Sequence, residues 1–557
     1  MLTACTAIAQ SLSGEETSFI DSILNATYKD DQAGISFIVT VDGKPVYRRS
    51  IGMSDMGNST KLTPETLMPI GSMSKQFAAA CLLILVNDGK LALNDDITKF
   101  LPGYNSHGKR ITIENLLTHT SGIPSFTELK GFMDVYTKDV TPQEIISFFE
   151  NEPLMFEPSE DWSYTNSGYT LNAKIIENIS GMSYGEFASS RLIAPLGLSN
   201  TYIGGTGKAP SQQMAKGYEP GDENSLKQSM DINWSWPVAA GDVISNVDDL
   251  AKWDASLYNF PLISGKLLEK VWIPFVMKDG LVSNYGYGWA VTELNGEKFI
   301  FHGGAIDGFL SEAVRIPGKK IYVAALSNNL SVNPTPVADK VAVMLAGIAL
   351  DDPQTISVAG DQLQKYADVY EMNRSGGRKT SNYGDKKMYR NFFVEGNDLY
   401  LQPTGGVKGR LIPYGEGMFY SELSKARFTF NPDAEGNIVS MTLTPFPFPL
   451  GPVETAPRTS LPLPESRKEV AMSEDLVKDY LGTYELMPGF NLEFLFEEGR
   501  FIVLPTGQSK EEVFAESDSK FFLKSVDATM EFKRGDDGKV NSVILTQGQT
   551  YECKKIK

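Results

Sequence analysis

Apolar and polar residues follow two rhythms along this chain, and each change of rhythm marks an element. Phe19, Ile20, Ile23 and Leu24 recur at helical spacing within residues 16–29. A strand-like pattern then takes over at Ile35-Ser36-Phe37-Ile38-Val39-Thr40-Val41. With Asp42-Gly43-Lys44 and Pro45-Val46-Tyr47-Arg48 behind it, this predicts a β-hairpin closed by an Asp-Gly turn. The apolar run Phe77 to Leu83 predicts a helix that begins near Ser72 and stops at Gly89. Residues 90–250 read as helical segments broken by Pro and Gly, over 113–119, 142–149, 171–179 and 184–192. Another helix begins at Asn246, with Asp248 and Asp249 in its first turn. Strands return over 298–302, 309–316 and 320–326, followed by a helix over 335–350. The simplest closure is an α/β (α+β) domain. One antiparallel sheet is drawn from both ends of the segment, helices cover it, and a helical lobe is inserted between.

After about residue 352 the pattern becomes short alternating segments with frequent Gly, and it repeats. Tyr366-Ala367-Asp368-Val369-Tyr370-Glu371 matches Tyr480-Leu481-Gly482-Thr483-Tyr484-Glu485. Leu399 to Gly405 matches Phe501 to Gly507, and Phe430 and Gly436 match Phe532 and Gly538. The first copy carries about twelve extra residues, placed in the polar stretch 374–390. Each copy holds enough strands for a small antiparallel barrel. The proline-rich stretch 447–464 reads as a linker. The expected domains are 16–351, 352–464 with the linker, and 465–557.

Composition narrows the function classes. The chain has 557 residues, 41% of them hydrophobic and 22% charged, with a net charge of -18. That charge disfavours nucleic acid and anionic membrane surfaces as partners. No run is long and apolar enough for a transmembrane helix. The cysteines are Cys5, Cys81 and Cys553 and the histidines His107, His119 and His302, with no C-x-x-C or H-E-x-x-H among them. No metal and no other cofactor is expected. Met1-Leu2-Thr3-Ala4-Cys5 resembles the end of a lipoprotein signal, and Ala7-Ile8-Ala9 a signal-peptidase site. Residues 1–15 read either as the remnant of an export signal or as an unstructured cytoplasmic start. The first reading brings a periplasmic or other extracytoplasmic location and a lipid anchor at Cys5.

Three short motifs carry the candidate chemistry. In Ser72-Met73-Ser74-Lys75 a lysine shares a helix face with a serine three residues earlier. A serine hydroxyl needs an adjacent base, and a shielded lysine can be one. In Tyr164-Thr165-Asn166 two polar side chains would share one side of an extended segment. A tyrosinate held between cations could take the proton from Ser72, and the asparagine could hold Lys75 and a substrate amide. In His302-Gly303-Gly304-Ala305, at a strand end, glycines let backbone approach a ligand, and the Ala305 N–H could complete an oxyanion hole with that of Ser72. Singly, each has a plain structural reading: a helix cap, an aromatic loop, a softened strand end.

Their order and spacing resemble the serine β-lactamase and penicillin-binding-protein superfamily, in its class C-like branch, over about residues 16–350. Leu116 to Pro124, Pro195 to Leu198 and Tyr285 to Trp289 add to the likeness. The resemblance implies a catalytic set of Ser72 as acylated nucleophile, Lys75 as its activating partner and Tyr164 as general base. Asn166, His302, Gly304 and Ala305 would bind substrate, and His119 would organise its loop. Many β-lactamases and carboxypeptidases have Lys-Thr-Gly where this chain has His302-Gly303-Gly304, which weakens the expected grip on a substrate carboxylate. Histidine there resembles class C-like esterases and D-aminopeptidases, and two C-terminal lipocalin-like barrels resemble the D-aminopeptidases, in which a barrel loop enters the cleft. Residues 374–390 are the candidate for such a loop. The implied function is a serine hydrolase of small amides or esters, such as D-amino-acid peptides. The alternatives are a carboxylesterase with weak β-lactamase activity, or a slowly deacylating penicillin-binding or muropeptide-sensing protein.

Overall fold

The first helix, α1 (Gly14–Thr27), starts where a capping box satisfies its free amides: Ser13 accepts from the Glu16 N–H, and Glu16 accepts from that of Ser13. The hairpin follows as β1 (Ile35–Val41) and β2 (Lys44–Ile51), turning at Asp42 and Gly43, both with positive φ. α2 (Ser74–Asn87) is buried at every position from Ser74 to Leu85: the apolar run Phe77 to Leu85 is enclosed all round, and the polar Ser74, Lys75 and Gln76 are buried in its first turn. α3 (Asn166–Ser180) packs on it, and α4 (Val247–Ser256) lies against the sheet. The late strands are β3 (Ala290–Leu294), β4 (Glu297–Ile306), β5 (Phe309–Ile316) and β6 (Ile321–Ser327), and α5 (Thr335–Leu345) covers β5 and β6.

This computed structural model describes residues 11–205, 214–221, 225–230, 233–348, 354–372, 374–375, 378–379, 388–423, 426–444, 453–464, 467, 469–487, 490–506, 508–547 and 549–557. Residues 1–10, with Cys5, and most of the stretch 374–390 lie outside them. The chain divides near residue 350 into two compact units. No helix among the described residues is long and apolar enough to cross a membrane.

In the first unit the strand order is β3-β4-β5-β6-β1-β2, antiparallel throughout. β1 is therefore a central strand, paired with β6 on one side (Val39 opposite Val323) and β2 on the other (Val39 opposite Tyr47). Its near-continuous apolar content fits that place. The sheet is built from both ends of the segment, as expected. Two local expectations change. Tyr164-Thr165-Asn166 is no strand: Thr165 is extended, but Asn166 opens α3. His302 is not at a strand end, because β4 continues to Ile306.

The second unit holds two antiparallel eight-stranded sheets. One runs from Asp368–Met372 to Glu454–Pro457, and its first and last strands approach, with Tyr370 bridging Arg458. The other, from Gly482–Met487 to Gln549–Lys555, is a closed barrel. The repeat read in the sequence is a repeat of contacts. Tyr370 Oη donates to the Tyr366 carbonyl as Tyr484 Oη does to that of Tyr480. Thr404 Oγ1 accepts from the Tyr389 N–H at 2.9 Å, and Thr506 Oγ1 from the Asn491 N–H at 2.8 Å. Phe430 and Phe532 each sit in an aromatic core beside the first tyrosine of their copy, at 4.8 and 4.4 Å between ring centroids.

Candidate active site

Ser72 lies in a single 3-10 turn, Gly71–Met73, that leads into α2. Glycine is required on both sides of the contact that fixes this turn. Gly71 has φ +52°, and a β-carbon on it would lie 2.7 Å from the Ala305 amide nitrogen. A β-carbon on Gly304 would lie 2.1 Å from the Ile70 carbonyl oxygen. β4 thus abuts the Ser72 turn backbone to backbone, and the buried Ser311 hydroxyl of the neighbouring β5 also reaches this segment, donating to the Ile70 carbonyl at 2.8 Å. Gly304 serves this approach and does not line the cavity beside Ser72, whereas Ala305 does.

Lys75 is fully buried in the first turn of α2. Its Nζ donates to Asn166 Oδ1 at 2.8 Å, to the Ala240 carbonyl at 2.9 Å and to Ser72 Oγ at 3.2 Å. It also lies 4.7 Å from the Tyr164 ring centroid and 5.4 Å from that of Tyr169. A protonated amine can donate to all three oxygens. A neutral one keeps two N–H bonds for Asn166 and Ala240, which only accept, and turns its lone pair to the Ser72 hydroxyl. The shell therefore serves both protonation states. Asn166 is oriented by its own Nδ2, which donates to Thr127 Oγ1 at 3.2 Å.

The Tyr164 hydroxyl oxygen is buried, although part of the residue remains accessible. Burial raises this phenol well above its ordinary value, and a hydrogen bond with Ser72 pulls the other way. His119 grips the backbone on both sides of it: its carbonyl accepts from the Ser163 N–H at 3.0 Å, and its Nδ1 accepts from the Thr165 N–H at 3.1 Å. The imidazole also packs against the Tyr164 ring at 4.3 Å. His119 is thus an organiser of the loop.

His302 lies inside this aromatic cluster, 6.0 Å from the Tyr164 ring. Its Nδ1 faces the Gly303 carbonyl at 2.6 Å, which only accepts, so Nδ1 carries the proton and Nε2 accepts from Tyr285 Oη at 2.7 Å. Burial, and secondarily the charge of Lys75, lower its pKa to about 3. A neutral, enclosed ring cannot pair with a substrate carboxylate. The expectation that His302 binds substrate from the cavity wall therefore becomes a supporting role behind Tyr164.

Ser72 opens into a cavity of about 180 Å³, lined by Asn166, Ala240, Ala305 and the aromatic side chains of Phe126, Phe132 and Trp236 among others. A larger cavity of about 980 Å³ includes Tyr184, Trp234 and Asp242 but none of Ser72, Lys75 and Tyr164, so the smaller one is the candidate site. Sequence reasoning missed Ala240, Thr127 and the aromatic wall. A usable signal was the run Pro237-Val238-Ala239-Ala240-Gly241-Asp242, whose small residues allow close backbone approach. Asp242 shapes this segment by accepting from the Ala239 N–H at 2.9 Å. Burial raises its carboxyl to about 7, against that N–H, its own amide and the Lys75 charge.

Comparison with known proteins identifies the family and the fold. The Beta-lactamase family model matches residues 21–348, and a domain of unknown function, DUF3471, matches 466–556. Penicillin-binding protein 4* of Bacillus subtilis is 28% identical over 417 residues, covering 71% of this chain and 90% of that protein. The octameric penicillin-binding protein homologue from Pyrococcus abyssi superposes with a TM-score of 0.55 at 26% identity, covering 79% of this chain and 99% of the other. D-amino acid amidase from Ochrobactrum anthropi, in its complex with L-phenylalanine amide, gives 0.52 at 25% identity, over 60% of this chain and 99% of the other. The chain belongs to the Beta-lactamase family, and by that membership it is a serine hydrolase with added C-terminal β domains.

Proposed function

We propose that this enzyme hydrolyses small amides or esters through an acyl-enzyme at Ser72, with D-amino-acid amides or peptides as the favoured class. One observation carries the reading: Lys75 Nζ is held at once by Asn166, Ala240 and Ser72. In the neutral state its lone pair takes the Ser72 proton as Oγ bonds to the substrate carbonyl carbon. The Ser72 and Ala305 N–H groups stabilise the oxyanion that forms. Burial favours a neutral Tyr164, so the phenol acts as donor and relay. It gives its proton to the departing amine or alkoxide as the C–N or C–O bond breaks, and Lys75 replaces that proton. Water then attacks the acyl-enzyme by the reverse route and frees the acid and Ser72. This moves the proton-accepting step from Tyr164, as the sequence resemblance implied, to Lys75.

The D-amino-acid preference draws support from the D-amino acid amidase likeness and from a site that lacks a lysine at position 302. Incubation with a fluorescent penicillin, p-nitrophenyl acetate and D-alanine p-nitroanilide, beside Ser72→Ala, tests it. Turnover of the D-anilide that vanishes in Ser72→Ala is expected. Ester-only turnover would favour a carboxylesterase, and stable penicillin labelling without turnover a slowly deacylating binding protein. Activity that survives in Ser72→Ala would sink the mechanism.

A further inference from the structure

The Ser72 cavity has a second polar pole. Among the described residues that line it, Asp307 is the one with a formally charged side chain; Lys75 Nζ lies behind Ser72, Asn166 and Ala240 at the other pole. Asp307 sits on the turn between β4 and β5, partly buried, and the Tyr136 hydroxyl donates to its Oδ2. Burial raises this carboxyl, the Tyr136 hydrogen bond lowers it, and the nearby Glu219 raises it again. Glu219 is thus a second acidic group near Asp307. Glu219 itself pairs outward with Lys227 at 3.0 Å.

The turn is held in place. Gly308 has φ +77°, and a β-carbon on it would lie 2.4 Å from the Gly217 α-carbon. Its carbonyl accepts from the Tyr218 N–H, the residue before Glu219. Asp307 is thus a preorganised acceptor, with Tyr136 occupying one carboxylate oxygen. Phe126, Phe132 and Trp236 form an apolar patch on the same cavity, with ring centroids 5.2 to 5.9 Å apart.

A half-enclosed carboxylate beside an aromatic wall matches a ligand that carries an ammonium group next to an apolar side chain. We propose that Asp307 determines specificity by pairing with a protonated primary amine of the substrate, whose apolar side chain rests on Phe126, Phe132 and Trp236. The assignment rests on the reading of the Ser72 cavity as the substrate site. It also gives that site a reason to disfavour anionic substrates, since Asp307 would face their carboxylate.

Binding separates this assignment from the chemistry. The full-length Ser72→Ala protein is titrated calorimetrically with D- and L-phenylalanine amide and with 3-phenylpropanamide, which lacks the amine. At least one phenylalanine amide should bind about tenfold or more tightly than the desamino compound. Adding Asp307→Asn should remove most of that preference, and Asp307→Glu should keep part of it. Equal binding of amine and desamino compounds, no binding of either, or a preference that survives Asp307→Asn would overturn the proposal. In parallel, wild-type kcat/KM is compared on the matching p-nitroanilides. Amine-selective binding without any Ser72-dependent turnover would sink the hydrolytic reading and leave Asp307 assigned. Ser72-dependent turnover without amine selectivity would do the reverse.

Discussion

Gly304 and Ile70 meet so closely that a β-carbon on the glycine would stand 2.1 Å from the Ile70 carbonyl oxygen. That approach brings the Ala305 N–H beside the turn that carries Ser72. Gly304→Ala must push β4 away from the turn. Backbone cannot yield as a flexible side chain would, so a stability loss of about 1–3 kcal/mol is expected. The catalytic loss should be larger, about 100-fold in kcat/KM on p-nitrophenyl acetate, because an oxyanion donor is displaced. Kinetics within tenfold of wild type would show that the Ala305 N–H is not used.

Lys75 Nζ donates to the oxygens of Ser72, Asn166 and Ala240, and the residue is fully buried. Lys75→Met should lower kcat by about 100- to 10,000-fold, the range for loss of a proton-transfer group. Lys75→Arg should not restore it, because a guanidinium does not give up its proton near neutral pH. Rates of acyl-enzyme formation, followed by intact-mass measurement, check both variants.

His302 ties stability to acid. Its pKa is about 3 in the fold against 6.5 for an ordinary histidine, so between these values the unfolded chain binds the extra proton. The stabilisation is present above pH 6.5 and is lost as pH falls toward 3, by up to about 1.4 kcal/mol per pH unit. His302→Gln, which can still meet Tyr285 and Gly303, should flatten this acid limb in urea unfolding measured from pH 4 to 7. Parallel curves for the two proteins would refute the assignment.

Glu312 on β5 and Asp339 on α5 behave oppositely. Both are buried, and burial, with Asp339 further affected by Glu312, raises both carboxyls above their ordinary values. The fold therefore holds protons that the unfolded chain releases. This contribution is present below the ordinary carboxylate range and fades as pH rises through the raised values. Melting temperature should fall from pH 6 to 9 in the wild type and fall less in Glu312→Gln.

Arg315 and Asp254 form an ion pair at 2.8 Å, each 1% exposed, with the guanidinium lying over Tyr258 and Trp272. Burial raises the Asp254 carboxyl to about 6 even with Arg315 opposing it. Removing one partner strands the other, so Asp254→Leu should cost about 3–5 kcal/mol in urea unfolding. Adding Arg315→Met should recover much of that, since no unpaired charge remains. A double variant as unstable as the single one would contradict this account.

Much of the molecule follows from local sequence. The strand-like runs at 35–41 and 309–316 specify strands, and the apolar run Phe77 to Leu85 within α2 specifies a buried helix. The paired tyrosines, threonines and phenylalanines of the second unit mark two copies of one β architecture, because each copy reuses the same local contacts. Ser72, Lys75 and Tyr164 stand out because the three short motifs occur in an order and spacing that resemble a known superfamily, although each motif alone has a plain structural reading. What the chain alone left open depends on residues distant in sequence. That Asn166 opens a helix, that His302 is enclosed and neutral behind Tyr164, and that Ala240 supplies a carbonyl to Lys75 are all set by packing against other elements. A backbone carbonyl carries no residue-type signal, and a histidine's charge depends on the water around it. Only the tertiary structure fixes either.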